Sequence, residues 1–414
     1  MKPLIPSETA LVLGGGGAKG SYEVGAIAAL RELGIEAGSV YGVSIGALNA
    51  AMYAQGDMEK AEALWQNVRL SDLLSPESLA LADDAEAMYD HPEKALEFIT
   101  RNAQNRGMDV TPLRRVIEAC VDEAAVRRSS VRMGLVATRF PSLNMVEKRI
   151  EDMEEGSLTD WLMASSACYP AFPMASVGGE RYVDGGFCDN APVEMAVRSG
   201  ARHIIALDIV RNPSHTQYRM RPNITYIRTS QPLGGLLTFS PEQAARNRII
   251  GYNDVMRAFG QLRGTRYAFD SVDAQALYAR AEDFIIRLTQ VETGLQSANA
   301  ITRRDKAAPL FSLLEEDLRP GADVIDYFLR ACELCAAIAE VNPAQVFTFA
   351  AFTDELRARL PLEKAESMVG SLLGGRIGVL FSPPQPERQA AQPSARETAR
   401  QSAITFFILF LLSG

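Results

Sequence analysis

Apolar residues follow two rhythms along the chain. The short apolar run Thr9–Leu13 (TALVL) and the largely apolar stretch 203–210 (HIIALDIV) read as buried strands, and 131–138 reads as a strand. A second short apolar stretch leads into Gly42. Between the runs, apolar positions recur at helical spacing. Val24, Ile27, Ala28, Leu30 and Leu33 share one face that Gly34 stops, and a further helix is predicted over 47–55. From 57 to 126 the pattern is mainly helical, with loops near Ser75-Pro76 and His91-Pro92. Helix 158–167 ends before Pro170, a short strand covers 181–183, and Gly200 closes helix 193–199. This alternation predicts a layered α/β domain with a mostly parallel sheet over residues 8–210. The next region, 211–381, opens with one further strand at Ile224–Arg228. It then reads as helices over 241–260, 273–296, 324–341 and 344–360. Residues 382–402 are rich in Pro, Gln, Ala and Arg and read as a disordered linker. Residues 403–412 form an apolar tail.

Composition narrows the picture. With 47% hydrophobic and 22% charged residues among 414, the chain is neither disordered, collagenous nor a coiled coil, and it is long enough for a large domain and a second unit. A net charge of -9 argues against nucleic acid as the main partner, and it leaves any membrane contact to local or apolar features. Five scattered cysteines make no disulfide framework and point to a reducing compartment. The first eight residues lack the basic stretch and apolar run of a leader. A helix over 403–412 would rise only about 15 Å, half a bilayer core. It would either tuck into a groove of the protein or dip shallowly into a membrane. The location expected is the cytoplasm, with peripheral membrane contact as an open option. The pairs Arg114-Arg115 and Arg127-Arg128 read as solvated helix faces.

Three motifs carry chemistry. In Gly42-Val43-Ser44-Ile45-Gly46 a serine sits on a tight strand-to-helix turn, exposed and facing the positive end of a helix. In Gly14-Gly15-Gly16-Gly17-Ala18-Lys19-Gly20, successive N–H groups of Gly15, Gly16 and Gly17 can converge on an anion, each such donor being worth about 10²–10³ in rate in an oxyanion hole. The same stretch fits a dinucleotide fingerprint, Gly15-x-Gly17-x-x-Gly20, for which Glu36 is the nearest acidic candidate. A nucleotide-hydrolase phosphate loop does not fit, because Lys19 precedes the last glycine. The third motif is Asp184-Gly185-Gly186 at a strand end, by itself compatible with an ordinary turn. A serine nucleophile needs a base. His91 lies in a helical loop and His203 opens a buried strand, so only His215 offers the chain order of a Ser–Asp–His triad. The alternative is a dyad in which Asp184 serves Ser44 directly.

Taken together, the three motifs resemble the patatin-like phospholipase family. The resemblance extends to Ala164-Ser165-Ser166, Phe172-Pro173 and Asp189-Asn190-Ala191-Pro192-Val193, and covers about residues 8 to 210, half of the chain. It implies a three-layer patatin-like α/β domain and a serine lipid acyl hydrolase with Ser44 as nucleophile and Asp184 as base. Gly16 and Gly17, with help from Gly15, would form the oxyanion hole. Lys19 stands where the family carries Arg or Lys, either supporting charge near the hole or pairing with a carboxylate. Asp-Gly-Gly replaces the Asp-Gly-Ala of some members. No cofactor and no metal are implied. The expected partner is a lipid or phospholipid, its acyl groove drawn from 48–74 and 169–174. Such a base should be partly desolvated, since burial raises a carboxylate pKa. Cys332 and Cys335 read as buried helix residues. Two rivals stand beside this reading: a dinucleotide-binding oxidoreductase built on the glycine loop, and a non-catalytic membrane-binding scaffold.

Overall fold

The computed structural model of the chain describes residues 4–90, 107–210, 216–218, 221–270, 274–302, 310–315, 318, 321–359 and 407. The chain divides into two compact units, Met1–Phe259 and Gly260–Gly414.

In the first unit, eight strands form one sheet among the described residues. They are β1 (Thr9–Leu13), β2 (Ser39–Val43), β3 (Arg132–Phe140), β4 (Asn144–Arg149), β5 (Ala175–Val177), β6 (Glu180–Asp184), β7 (His203–Asp208) and β8 (Ile224–Arg228). The order β3-β2-β1-β7-β8 is parallel throughout. β4, β5 and β6 add an antiparallel flank. β1 and β2 are buried along their whole length, as unbroken apolar runs require when both faces of a parallel sheet are covered.

Pairing on β3 brings two strand ends together. β4 occupies one edge of β3, so β2 and β6 share the other. β2 runs up that edge until Val43 pairs with Val136, and β6 runs down it until Asp184 pairs with Ala137. The two strands end head to head. The residue after β2 is Ser44, and it thereby meets the last residue of β6.

The helices α1 (Ser21–Glu32), α2 (Ile45–Ala54) and α3 (Met58–Asn67) follow β1 and β2. α1 packs on the helix Pro241–Ala258 by backbone contact: a Cβ on Gly251 would lie 2.0 Å from the Tyr22 carbonyl oxygen. The Tyr22 hydroxyl donates to buried Asp254 at 2.9 Å, and Asp254 pairs with buried Arg257. This close crossing carries the first unit to residue 259, whereas the apolar rhythm alone ended its domain at 210.

The second unit is built on aromatic rings. Tyr267, Phe269, Phe328, Phe347 and Phe352 are buried together, with Cys332 and Cys335 in the same core as free thiols. Within it the helices Ala274–Thr302, Leu310–Glu315, Val324–Ile338 and Phe349–Arg359 confirm the helical character expected there. Phe407, the described residue of the apolar tail, is buried against Phe284 with ring centroids 5.5 Å apart. The linker 382–402 and the rest of the tail lie outside the described residues. No helix among the described residues is long and apolar enough to cross a membrane.

Candidate active site

Ser44 sits at φ 54°, ψ -126°, a conformation that non-glycine residues rarely adopt. The turn is forced by its glycines: a Cβ on Gly42 would lie 2.2 Å from the Gly46 carbonyl oxygen, and one on Gly46 would lie 2.5 Å from that of Leu13. The Ser44 N–H donates to Ser165 Oγ at 2.8 Å, and that hydroxyl donates to the Val136 carbonyl at 2.6 Å. The strained residue is therefore tied to the end of the helix Leu158–Ser165 and to β3.

The Ser44 hydroxyl lies beside the Asp184 carboxylate, near enough to favour its charged form. Asp184 is 5% exposed, its N–H held by the Ala167 carbonyl at 2.8 Å. Burial pushes its pKa up to about 6, against the opposing pull of the nearby Ser44 hydroxyl and of the bond from the Gly186 N–H at 2.7 Å. The desolvation expected of this carboxyl is present.

The glycine turn after β1 lies beside Ser44, since a Cβ on Gly15 would come within 3.3 Å of Ser44 Cβ. Its amides are not equivalent. The Gly14 N–H donates to the Leu207 carbonyl at 3.2 Å, and the Gly15 N–H to that of Asn190 at 3.0 Å. The hydrogen of Gly15, the third donor that the motif suggested, is thus engaged by a backbone acceptor in this structure. Among the described residues no acceptor takes the N–H of Gly16 or Gly17.

Gly17 and Ser44 open into an apolar pocket of about 810 Å³, counting its mouth. Leu48, Trp65 and Leu73 come from the expected stretch 48–74, and Phe172 from 169–174. Leu113 and Ile117, and a loop bearing Leu236, Leu237 and Phe239, complete it.

The arrangement is a serine beside a buried acid, with two open amides at the base of an apolar pocket. Residues 11–197 match the family model of patatin-like phospholipases. Residues 11–197 are a patatin-like phospholipase domain. Lysophospholipase NTE1 of Cryptococcus neoformans is 26% identical over 206 residues, 50% of this chain and 11% of that protein. Patatin-like phospholipase domain-containing protein 6 of Mus musculus is 28% identical over 209 residues, 50% of this chain and 14% of that protein. The chain spans roughly a tenth of the length of these curated relatives. Among solved structures, VipD from Legionella pneumophila aligns at 15% identity over 98% of this chain and 92% of that one, with a TM-score of 0.39.

Other residues of the patatin-like domain fall into place around this centre. His203 opens β7 opposite Thr9, at the start of the parallel strands and away from the end where Ser44 lies. His91 and His215 lie outside the described residues. Glu36 precedes β2 and is exposed, so it stands at the opposite end of the sheet from the glycine turn, where it cannot serve a dinucleotide bound there. Lys19 is half-exposed, does not line the pocket, and has no carboxylate within ion-pair reach among the described residues.

Three positioning groups escaped the sequence reading. Asn190 accepts from the Gly15 N–H through its carbonyl and donates to the Gly15 carbonyl through Nδ2 at 3.0 Å. Ser165 orients Ser44. Both lie in stretches that carry the family resemblance, which is the signal that would have found them. The third is a buried network behind the turn. Asn49 Nδ2 donates to Glu23 at 2.8 Å and to the Gly20 carbonyl at 3.0 Å, while Trp65 Nε1 donates to Asn49 Oδ1 at 3.1 Å. Burial raises the Glu23 pKa to about 8, against the opposing pull of the bond from Asn49 and of the nearby Gly14 amide, and so favours the neutral acid at pH 7. An acid at a helix start gives no sequence hint of such burial.

Proposed function

We propose that the patatin-like domain hydrolyses carboxylic esters of lipids through a Ser44–Asp184 dyad and an acyl-enzyme. The observation that carries this reading is the head-to-head ending of β2 and β6, which sets Ser44 beside the buried carboxylate of Asp184, its pKa raised to about 6. An ordinary aspartate is too weak a base, and burial moves this one toward neutrality while leaving it ionised at pH 7. Asp184 takes the hydroxyl proton as Ser44 Oγ attacks the ester carbonyl. The oxyanion is held by the N–H groups of Gly16 and Gly17. On collapse the alcohol or lysolipid leaves with the proton, and the acyl chain stays on Ser44 in the apolar pocket. Asp184 then deprotonates water, which releases the fatty acid and restores the serine. The names of the relatives make lysophospholipids the first natural esters to try.

Peripheral contact with a membrane belongs to the same proposal. Leu143, Met145 and Phe187 are large, apolar and exposed at two loops that touch, since Cys188 Sγ donates to the Leu143 carbonyl at 3.1 Å. Exposed Arg139 and Arg181 flank them. That makes a local basic and apolar surface on a chain of net charge -9.

The test is hydrolysis of a chromogenic acyl ester by wild type, Ser44→Ala, Asp184→Ala and His215→Ala. Loss in the first two variants and retention in the third is the expected pattern. Activity in Asp184→Ala with loss in His215→Ala would transfer the base to the histidine.

A further inference from the structure

The loop that closes the pocket has an anchor that ester hydrolysis itself does not use. Upstream, the Leu233 carbonyl is held by Gln243 Nε2 at 3.1 Å and Asn247 Nδ2 at 2.9 Å, both on the helix Pro241–Ala258. Downstream, Ser240 caps that same helix through the Gln243 N–H at 3.1 Å. The six residues between, 234–239, form a strap whose Leu236, Leu237 and Phe239 line the pocket beside Gly17 and Ser44. Phe239 lies parallel to Trp65 across it, ring centroids 6.0 Å apart.

Two contacts press the strap down. The Ala18 N–H donates to the Leu236 carbonyl at 2.9 Å, which joins it to the glycine turn. On the other side Glu86, in the helix Ala82–Asp90, accepts the adjacent N–H groups of Leu236 at 2.6 Å and Leu237 at 2.5 Å. The approach requires Gly235, whose Cβ would lie 2.3 Å from Glu86 Oε1. One carboxylate satisfying two successive amides is a strong, charge-assisted clamp. It is supplied by an element that contributes nothing else to the pocket.

We propose that Glu86 is a positioning residue that latches the 234–239 strap over the acyl pocket, and that the closed strap sets the fit for a single long acyl chain. This rests on the hydrolase reading. Releasing the latch leaves Ser44, Asp184 and the open amides in place and removes one wall. The loss should therefore grow with the length of the chain that needs the wall.

The experiment uses the full chain with Glu86→Ala and Glu86→Gln, assayed on p-nitrophenyl acetate and p-nitrophenyl palmitate. For palmitate, kcat/KM should fall about tenfold or more in Glu86→Ala, carried by KM. For acetate it should fall less than about threefold. Glu86→Gln keeps one acceptor oxygen and should lie between. A second arm titrates oleate into Ser44→Ala and Ser44→Ala/Glu86→Ala and follows the emission of Trp65, with weaker binding expected in the double variant. This arm reads the latch without turnover, so it stands even if Ser44 proves not to be a nucleophile. Equal losses on acetate and palmitate, or unchanged oleate affinity in the double variant, would overturn the latch. If Glu86→Ala does not fold, Glu86→Gln and its oleate titration decide by the same criteria.

Discussion

After β1 the chain enters its helix through four glycines; after β2 it does so through one serine held at φ 54°. Both turns lie at the same end of adjacent parallel strands and face the same pocket. In the reaction proposed, the backbone is the working part of the first, from which side chains are excluded. Gly17 stands at φ 57°, and a Cβ there would lie 2.2 Å from the Leu236 carbonyl oxygen. In the second, the side chain is the working part of that reaction, and the strain of carrying it is held by the bond that the Ser44 N–H donates to Ser165 and by the crossing at Gly42 and Gly46. A backbone amide can be presented only where nothing covers it, and a hydroxyl can be aimed only where the backbone is bent sharply. The two turns divide those demands.

Substitutions that exchange the two solutions break the comparison most severely. Ser44→Gly should abolish ester hydrolysis, a loss of about 10⁴-fold or more, yet raise thermal stability by about 1 kcal/mol as the strained φ is relieved. A melt unchanged or lowered would mean that the serine conformation stores no strain. Asp184→Asn should cost a similar factor in rate. Its effect on stability depends on pH. The folded pKa of about 6 lies above the unfolded value of 3.8, so the favourable contribution of the neutral acid is complete below 3.8 and gone above 6. The variant should accordingly melt higher than wild type at pH 8 and not at pH 5.

Gly17→Ala tests the backbone side. Its blocked Cβ and positive φ should tilt the amide away from the pocket, lowering kcat by about 10²- to 10³-fold. Gly16→Ala should be milder. The residue stands at φ 168°, open to any side chain, and the nearest atom to a new Cβ is the flexible end of Ile209 at 2.9 Å. Equal losses at the two positions would remove the distinction drawn between them. In the wild type, kcat/KM should fall about tenfold per pH unit below about 6, as Asp184 takes up its proton.

The parts of this architecture that depend on neighbours in sequence are legible in the sequence. Runs such as Thr9–Leu13 and the glycine–serine elbow announce buried strands and sharp turns by local pattern alone. The parts that depend on distant neighbours are not. The reach of Asn190 to Gly15 spans 175 positions and removes one amide from the anion site, which no glycine count reveals. The strap 234–239 places leucines and a phenylalanine in a loop with two glycines, a sequence without helical or strand period. The extent of the first compact unit, to residue 259, rests on contacts of the same kind. Gly251 looks like a weak spot in a helix until it is seen to admit the backbone of α1. The motif order of Ser44 and Asp184 is readable, but their meeting comes from two strands ending on one edge of β3.

The smallest effect sharpens the comparison from behind the glycine turn. Glu23 is fully buried with Asn49 and Trp65, and its pKa is raised from 4.5 to about 8. Between those two values the unfolded chain has lost this proton and the folded protein has kept it. Wild-type stability should therefore decline across that window, by up to about 1.4 kcal/mol per pH unit from this group, and level off above pH 8. Glu23→Gln holds the same shape and cannot ionise, so its melting temperature should lose that slope and exceed the wild type most at pH 8. Hydrolysis at pH 6 should change little, because Glu23 touches neither Ser44 nor the open amides. If instead the variant lost activity at pH 6 with its melt unchanged, the carboxyl would be steering the turn itself, through its closeness to the Gly14 amide. The contrast between an exposed working backbone and an inert support behind it would then have to be redrawn.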